Sequence, residues 1–323
     1  MRIALIGYGN VGRAFAALLQ RQRHAYPFRI AGIHTARHGT AYADGRFGPA
    51  ASSIEEFLDR AQSEIVAEIT TLNPATGEPA LSYIRAAFAR GRHVITANKG
   101  PIAHAYAALR EEAAAAGVQF RFESTVMDGV PVFNLVRNNL PGVKILGFTG
   151  ALNSTSKIVI EAMRQGQSMQ AGIEEARRLG ITEADASYDI EGWDSAAKAA
   201  ALANVLMDAR ITPQAVDRRG IARLTPERVR ELALKRKAVC LVSRARLNPT
   251  GVRARVRAEV LDDTDPLAAV SGTSNLLLFH TDLMGTIGTA GINCGVEQTA
   301  YGLFSDAVEC ARLAARSSAS ISG

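Results

Sequence analysis

Arg2-Ile3-Ala4-Leu5-Ile6-Gly7-Tyr8-Gly9-Asn10-Val11-Gly12 is the stretch that decides how the chain begins to fold. Arg2 to Ile6 reads as a short buried strand. Gly7 to Gly12 follows as G-x-G-x-x-G, and Val11, Phe15, Leu18 and Leu19 then repeat at helical spacing. In this strand–turn–helix setting each glycine has a task. The first makes the tight turn, the second lets the backbone approach a pyrophosphate, and the third allows close helix–strand packing. Phosphates then sit at the helix N-terminus, where free N–H groups and the helix dipole favour anions. Gly7, Gly9, Asn10, Val11 and Gly12 are therefore the candidate cofactor contacts.

Working outward, the alternation continues. Strands are expected near Phe28–His34, Ile65–Thr70, His93–Ala97 and Gln119–Glu123, with helices near Leu81–Arg90 and Ala105–Ala116. Strands alternating with helices imply an α/β fold of Rossmann type, a doubly wound parallel sheet with its ligands at the carboxyl ends of the strands. After the second strand, Ile33-His34-Thr35-Ala36-Arg37-His38 lacks the carboxylate that usually takes ribose hydroxyls. It offers Arg37 to a 2′-phosphate instead, so NADP is favoured over NAD. Arg37 equally suits an ordinary surface arginine. Thr70 and Thr71 end the third strand, within reach of a nicotinamide ribose, although β-propensity alone also accounts for threonine there. Thr96-Ala97-Asn98-Lys99-Gly100-Pro101 ends the fourth and carries Lys99 to the expected cleft, where a solvated lysine would be the plain alternative.

With 323 residues the chain exceeds what one core usually serves, which implies two domains. The first is expected to span 1–130 and the second to follow from 131. Composition is that of an ordinary globular protein, 47% hydrophobic and 21% charged. No apolar run is long enough to span a membrane, and the first residues offer no signal-peptide core. Cys240, Cys294 and Cys310 are odd in number and lack metal-ligand spacing, which fits a reducing cytoplasm. The net charge of +6 is carried mostly by arginine. Without a dense basic run or an aromatic platform it does not point to nucleic acid, and an anionic cofactor is the milder explanation.

The second informative stretch is Asp189-Ile-Glu-Gly-Trp-Asp-Ser-Ala-Ala-Lys-Ala-Ala200. Three carboxylates crowd a Gly-containing loop, and Lys198 follows Asp194 by four residues, one turn away if the segment is helical. The helix beyond is almost free of charge, as buried helices are. Such an acid and base at its start suit active-site chemistry; they also suit an N-cap Asp and a solvated ion pair.

These motifs together resemble the homoserine dehydrogenase family over nearly the whole chain, in a short form lacking a C-terminal regulatory domain. The resemblance rests on Gly7–Gly12, Thr96–Gly100, Glu123–Pro131, Gly150–Thr155, Glu183-Ala-Asp185 with Asp189–Lys198, and the distal Gly288–Gly291 and Glu297–Ala300. It implies NAD(P)-dependent hydride transfer interconverting L-homoserine and L-aspartate 4-semialdehyde. Lys198 matches the proton donor and acceptor, Asp194 a carboxylate near the substrate hydroxyl, and Glu183 the carboxylate holding the substrate ammonium. Lys99 matches a second cleft lysine, Asp189 a further acid of the substrate loop, and Thr155 a substrate-side hydroxyl. A closing segment, 288–323, would complete the nucleotide domain and bring Gly291 to the cofactor, leaving 131–287 as an α+β substrate-binding and dimerisation domain. The family's loop at Glu123–Val130 implies a monovalent cation, held largely through backbone carbonyls, near Glu123, Val126 and Asp128. A cytoplasmic homodimer acting on a small amino acid, without nucleic-acid or membrane partners, completes the expectation.

The chemistry agrees with that resemblance. A zwitterionic substrate needs a carboxylate for its ammonium, donors for its carboxylate, and an acid at the reacting oxygen. The chain also departs from the family. Asn153-Ser154-Thr155-Ser156-Lys157 replaces a frequent Asn-Gly-Thr-Thr-Asn, Ile181 a frequent aromatic, and Ser187 a frequent proline. A dehydrogenase of the same fold acting on another hydroxy- or keto-amino acid is the alternative these positions suggest. In the second half, strands are expected at Val239–Leu247, Val252–Leu261 and Asn275–Asp282, with a turn at Asn248–Gly251 and a closing helix at Ala300–Ala314.

Overall fold

The computed structural model describes residues 1–42, 45–182 and 185–321, which form two compact units. The first joins Met1–Phe133 to Gly295–Gly323, and the second is Asn134–Cys294.

In the first unit the order is β1 (Arg2–Ile6), α1 (Asn10–Arg21), β2 (Arg29–Thr35), β3 (Gly39–Tyr42), β4 (Phe47–Gly48), α2 (Ile54–Ala61), β5 (Ile65–Glu68), α3 (Ala80–Phe88), β6 (His93–Thr96), α4 (Lys99–Ala115) and β7 (Phe120–Arg121). Among the described residues these strands build a seven-stranded sheet in the order β4-β3-β2-β1-β5-β6-β7. From β2 to β7 neighbours run parallel, while β3 and β4 add an antiparallel edge. The expected doubly wound parallel sheet is thus present; the edge hairpin had no clear periodic signal. Chain order reverses at β1, so the carboxyl ends of β1, β5 and β6 frame the crevice where such sheets bind ligands.

The second unit contains α5 (from Phe133 to Asn139, at the join), β8 (Ile145–Ala151), α6 (Ser154–Arg164), α7 (Met169–Arg178), α8 (Ser187–Ile190), α9 (Trp193–Leu206), β9 (Asp217–Arg219), α10 (Pro226–Leu234), β10 (Lys237–Asn248), β11 (Gly251–Asp262), β12 (Asn275–Thr281) and β13 (Thr286–Gly291). Its described strands form a six-stranded sheet, β13-β12-β8-β10-β11-β9, antiparallel except at β9. Helix α9 packs on β10 and β11, and Ala196 to Ala203 are buried almost without exception, as a helix apolar on every side must be.

The chain then returns through α11 (Val296–Ile321), whose Ala300, Leu303, Phe304, Ala307, Val308 and Cys310 fill the same core as Ile3, Leu5, Phe15 and Leu19. Where the sequence suggested a return at 288, residues 286–291 instead pair with β12 as an edge strand, and the first unit resumes at Gly295.

Candidate active site

On the nucleotide side the three glycines of the opening motif are held by three different constraints. Gly7 has φ +102°, and a Cβ there would lie 2.4 Å from the Ile69 carbonyl oxygen. At Gly12 it would lie 3.0 Å from the Gly7 oxygen, which is the close helix–strand approach. At Gly9 it would meet nothing within 4 Å. That open position precedes α1, whose N-terminus has no side-chain cap and no acidic residue in its first turn. Asn10, Val11 and Gly12 therefore present the start of a helix to an open surface, which is what a pyrophosphate requires.

The end of β2 carries no carboxylate. His34 Nδ1 lies 3.0 Å from Thr40 Oγ1, the His38 N–H donates to Thr35 Oγ1, and Arg37 is exposed at the tip of this turn. At the next crevice strand, Thr70 donates through both its N–H and its hydroxyl to Glu68, while Thr71 is exposed. Lys99 is half-buried as the first residue of α4, capped by Asn98, which accepts from the Gly100 N–H at 3.0 Å. Helix α4 is broken at Ala105 (φ −144°, ψ 20°), where the periodicity places a helix start; the segment before the break begins at Lys99, with Pro101 where only an already unsatisfied N–H is lost.

On the substrate side, four of the expected residues come together around one they did not include. Asn153 donates from Nδ2 to Asp189 Oδ1 at 2.6 Å and to Asp194 Oδ2 at 3.0 Å. Thr155 and Thr182 donate their hydroxyls to Asp189 Oδ2 at 2.9 and 3.0 Å. Lys198 Nζ lies 3.2 Å from Asp194 Oδ2 and donates to the Leu152 carbonyl at 2.6 Å. The side chains of Lys198 and Asp194 are only 16% and 12% exposed, so this is not a solvated surface pair. Nor is Asp194 the N-cap: Gly192, at φ +83°, holds that place, and Asp194 lies within the first turn.

Burial, then the neighbouring Asp194 charge, pushes the Asp189 carboxyl above its ordinary range, against the hydrogen bonds from Asn153, Thr155 and Thr182. Tyr188 is also held neutral: burial first, then the charges of Asp194 and Asp189, raise its pKa, and its buried hydroxyl has no hydrogen-bond partner. The α8–α9 turn is braced from β9, where Arg218 stacks 3.7 Å over the Trp193 ring and donates to the Glu191 carbonyl.

Glu183 lies outside the described residues. Of the positions that depart from the family, Ser156 donates back to the Asn153 carbonyl. Lys157 is buried and donates to Ala151 O and Asn275 Oδ1. Gly291 is paired with Asn275 at the end of β13. At the positions expected near a cation, the side chains of Glu123 and Asp128 make hydrogen bonds within the first unit. Glu123 Oε1 accepts from the N–H groups of Val132 (2.5 Å) and Phe133 (2.9 Å), capping α5, while Thr299 donates to Asp128. Val126 is buried and could offer only its carbonyl. Among the described residues no group of three or more His, Cys, Asp or Glu could hold a metal ion.

Two family models divide the chain in the same way as its chemistry. Residues 7–123 match the homoserine dehydrogenase NAD-binding domain, and residues 131–308 match homoserine dehydrogenase. The chain belongs to the homoserine dehydrogenase family. It is 33% identical to the NAD(+)-dependent homoserine dehydrogenase of Pseudomonas canavaninivorans, covering 98% of this chain and 97% of that relative. The structure resembles a homoserine dehydrogenase from Archaeoglobus fulgidus with a TM-score of 0.86 and 29% identity, over 96% of this chain and 98% of the other. It also resembles a hyperthermophilic archaeal homoserine dehydrogenase mutant in complex with NADPH, with a TM-score of 0.82 and 27% identity over 96% and 97% of the two chains. No described helix is long and apolar enough to cross a membrane.

Asn153 and Glu68 are the functional candidates that sequence reasoning missed. A glutamate closing the otherwise apolar run Ile65-Val66-Ala67 was the available signal for Glu68, since a charge in a buried parallel strand demands partners.

Proposed function

We propose that this homoserine dehydrogenase family member interconverts L-homoserine and L-aspartate 4-semialdehyde, with Lys198 moving the proton at the reacting oxygen. The observation carrying this reading is the Asp194–Lys198 pair, poorly exposed at the start of a buried helix and fixed from a second side by the Leu152 carbonyl. NAD(P), when bound, supplies the hydride acceptor or donor. Gly7, Gly9, Asn10, Val11 and Gly12 would hold its pyrophosphate, with Thr70 and Thr71 toward the nicotinamide end.

In the oxidative direction Lys198 Nζ takes the proton of the substrate hydroxyl. In the reductive direction its ammonium stabilises the developing oxyanion and returns that proton. Asp194 orients the amine, while Asp189 and Thr155 shape the wall beside it. Glu183 is assigned the substrate ammonium, and Lys99 a second positive charge facing the substrate. Arg37 supports NADP as the preferred cofactor, because an exposed guanidinium in the turn after β2 suits a 2′-phosphate. Buried cysteines at Cys240, Cys294 and Cys310, odd in number, fit a reducing cytoplasm. Leu283, Met284 and Ile292, at least half exposed, are surface that a second copy would cover in a homodimer.

The test is turnover of L-homoserine and of aspartate semialdehyde, followed by cofactor absorbance with NADP and NAD in turn. Oxidation of homoserine at ordinary rates, about 1–1000 per second, supports the reading. Turnover confined to a different hydroxy- or keto-amino acid overturns the substrate, and cofactor binding without turnover overturns the activity.

A further inference from the structure

Glu68 is completely buried at the carboxyl end of β5, yet it belongs to neither the phosphate-binding turn nor the lysine–aspartate pair. Its two oxygens are shared between two strand ends. Oε1 accepts from the Thr70 N–H at 2.9 Å and from the Thr70 hydroxyl at 2.5 Å. Oε2 accepts from the Thr96 hydroxyl at 2.7 Å, and Thr96 is its register partner on β6.

The network closes on itself. Thr96 Oγ1 accepts the Asn98 N–H at 2.9 Å, and Asn98 Nδ2 donates to the Thr70 carbonyl at 3.4 Å. Asn98 Oδ1 in turn caps α4 through Gly100 N–H. A hydroxyl has a single proton to donate. Thr96 directs that proton to Glu68, which leaves its lone pairs for Asn98. One carboxylate therefore sets the orientation of Thr70, Thr96 and Asn98 together. Thr70 precedes the residue that faces the crevice, and Asn98 precedes Lys99.

We propose that Glu68 is a positioning residue, whose carboxylate locks the ends of β5 and β6 in register so that Thr70–Thr71 and Lys99 face the nicotinamide end of the cofactor. This rests on the dehydrogenase reading above for its catalytic consequence, but not for its effect on cofactor binding. A carboxylate is suited to the task because it accepts along several directions and donates along none, so it cannot satisfy itself by turning away. Burial raises the Glu68 pKa, and the bonds from Thr70, Thr96 and Asn98 oppose that rise. Those donors are matched to the ionised form.

The experiment compares Glu68→Ala, Glu68→Gln and Thr96→Val with Ile84→Ala, an apolar control in the same unit's core on α3 that takes no part in the hydrogen-bond network. For each full-length variant, the dissociation constant of reduced cofactor is measured by fluorescence, kcat and KM for homoserine by steady-state assay, and Tm by calorimetry. The expected result is that Glu68→Ala and Thr96→Val weaken cofactor binding and lower kcat, by about 10- to 100-fold for the alanine variant. Glu68→Gln should recover most of both, because its amide oxygen still accepts from Thr70 while its amide nitrogen can donate to Thr96. Ile84→Ala should lose Tm while cofactor binding and kcat stay close to wild type. If Glu68→Ala and Thr96→Val lose only Tm, as the control does, the positioning role is overturned. Should the alanine variant fail to fold, the near-isosteric Thr96→Val decides the matter by the same criteria. Wild-type protein that binds cofactor but ignores homoserine would overturn the proposed activity instead, and the cofactor-binding comparison would still judge Glu68.

Discussion

The ammonium of Lys198 lies 3.2 Å from the Asp194 carboxylate, one turn away along a helix whose remaining buried residues are mostly alanine. Small side chains bring the helix close to β10 and β11, so the pair cannot swing into solvent without unpacking its surroundings. Removing the amine should therefore remove chemistry more than structure. Lys198→Ala is expected to lower kcat by about 10²-fold or more. Steady-state rates with homoserine check this, and a rate near wild type would exclude Lys198 as the acid–base group.

Asn153 holds Asp189 and Asp194 at once. Asn153→Ala leaves both carboxylates short of a donor, at a cost of about 1–3 kcal/mol for buried unsatisfied acceptors. KM for homoserine should rise together with a fall in the urea midpoint. An unchanged KM would mean that the bridge is structural only.

The raised pKa of Asp189 makes folding stability depend on pH. In the unfolded chain an Asp titrates near pH 4, whereas burial and the Asp194 charge make Asp189 harder to ionise in the fold. Its contribution is fully present below the unfolded pKa and is lost as pH rises through the folded one. The urea midpoint of wild type relative to Asp189→Asn should accordingly fall as pH rises from about 4. Glu68, also raised, is common to both proteins and cancels. A difference that stays flat across this range would contradict the assignment.

Arg37 makes a separable prediction about cofactor choice. Arg37→Ala should raise KM for NADP by about tenfold, the loss expected for a charge-assisted hydrogen bond, and leave KM for NAD unchanged. Equal effects on the two cofactors would remove Arg37 from the 2′-phosphate site.

Gly302 tests how tightly α11 is seated. A Cβ at this position would lie 2.3 Å from Ser124 Oγ and 2.6 Å from Gly129 Cα. Gly302→Ala should cost about 1–3 kcal/mol through overpacking, read as a lowered urea midpoint.

Much of this was legible in the sequence because it depends on residues that are neighbours in the chain. Gly7 to Gly12 specify their turn locally, and Asp194 and Lys198 specify one face of one helix. What escaped was set by contacts between distant segments. Glu68 meets Thr96 across two strands, Asn153 meets Asp189 and Asp194 from a different element, and Glu123 caps α5 from ten residues away. The N-cap stood as an alternative role for Asp194 because the sequence cannot show that Gly192 takes a left-handed conformation there. The boundary at 288 failed to anticipate β13, since pairing with β12 is not encoded in Thr286–Gly291 alone.

The return of α11 has a consequence for the order of assembly. The Glu123 N–H donates to Asp306 across 183 residues of intervening chain, and the core around Ile3, Leu5 and Phe15 is closed by residues from Ala300 onward. During synthesis the amino-terminal segment emerges first but lacks part of its own interior until the whole second unit has been translated. The second unit thus has the opportunity to fold before the first, and a nascent chain stalled before Gly295 would display the open face of an incomplete nucleotide fold to chaperones.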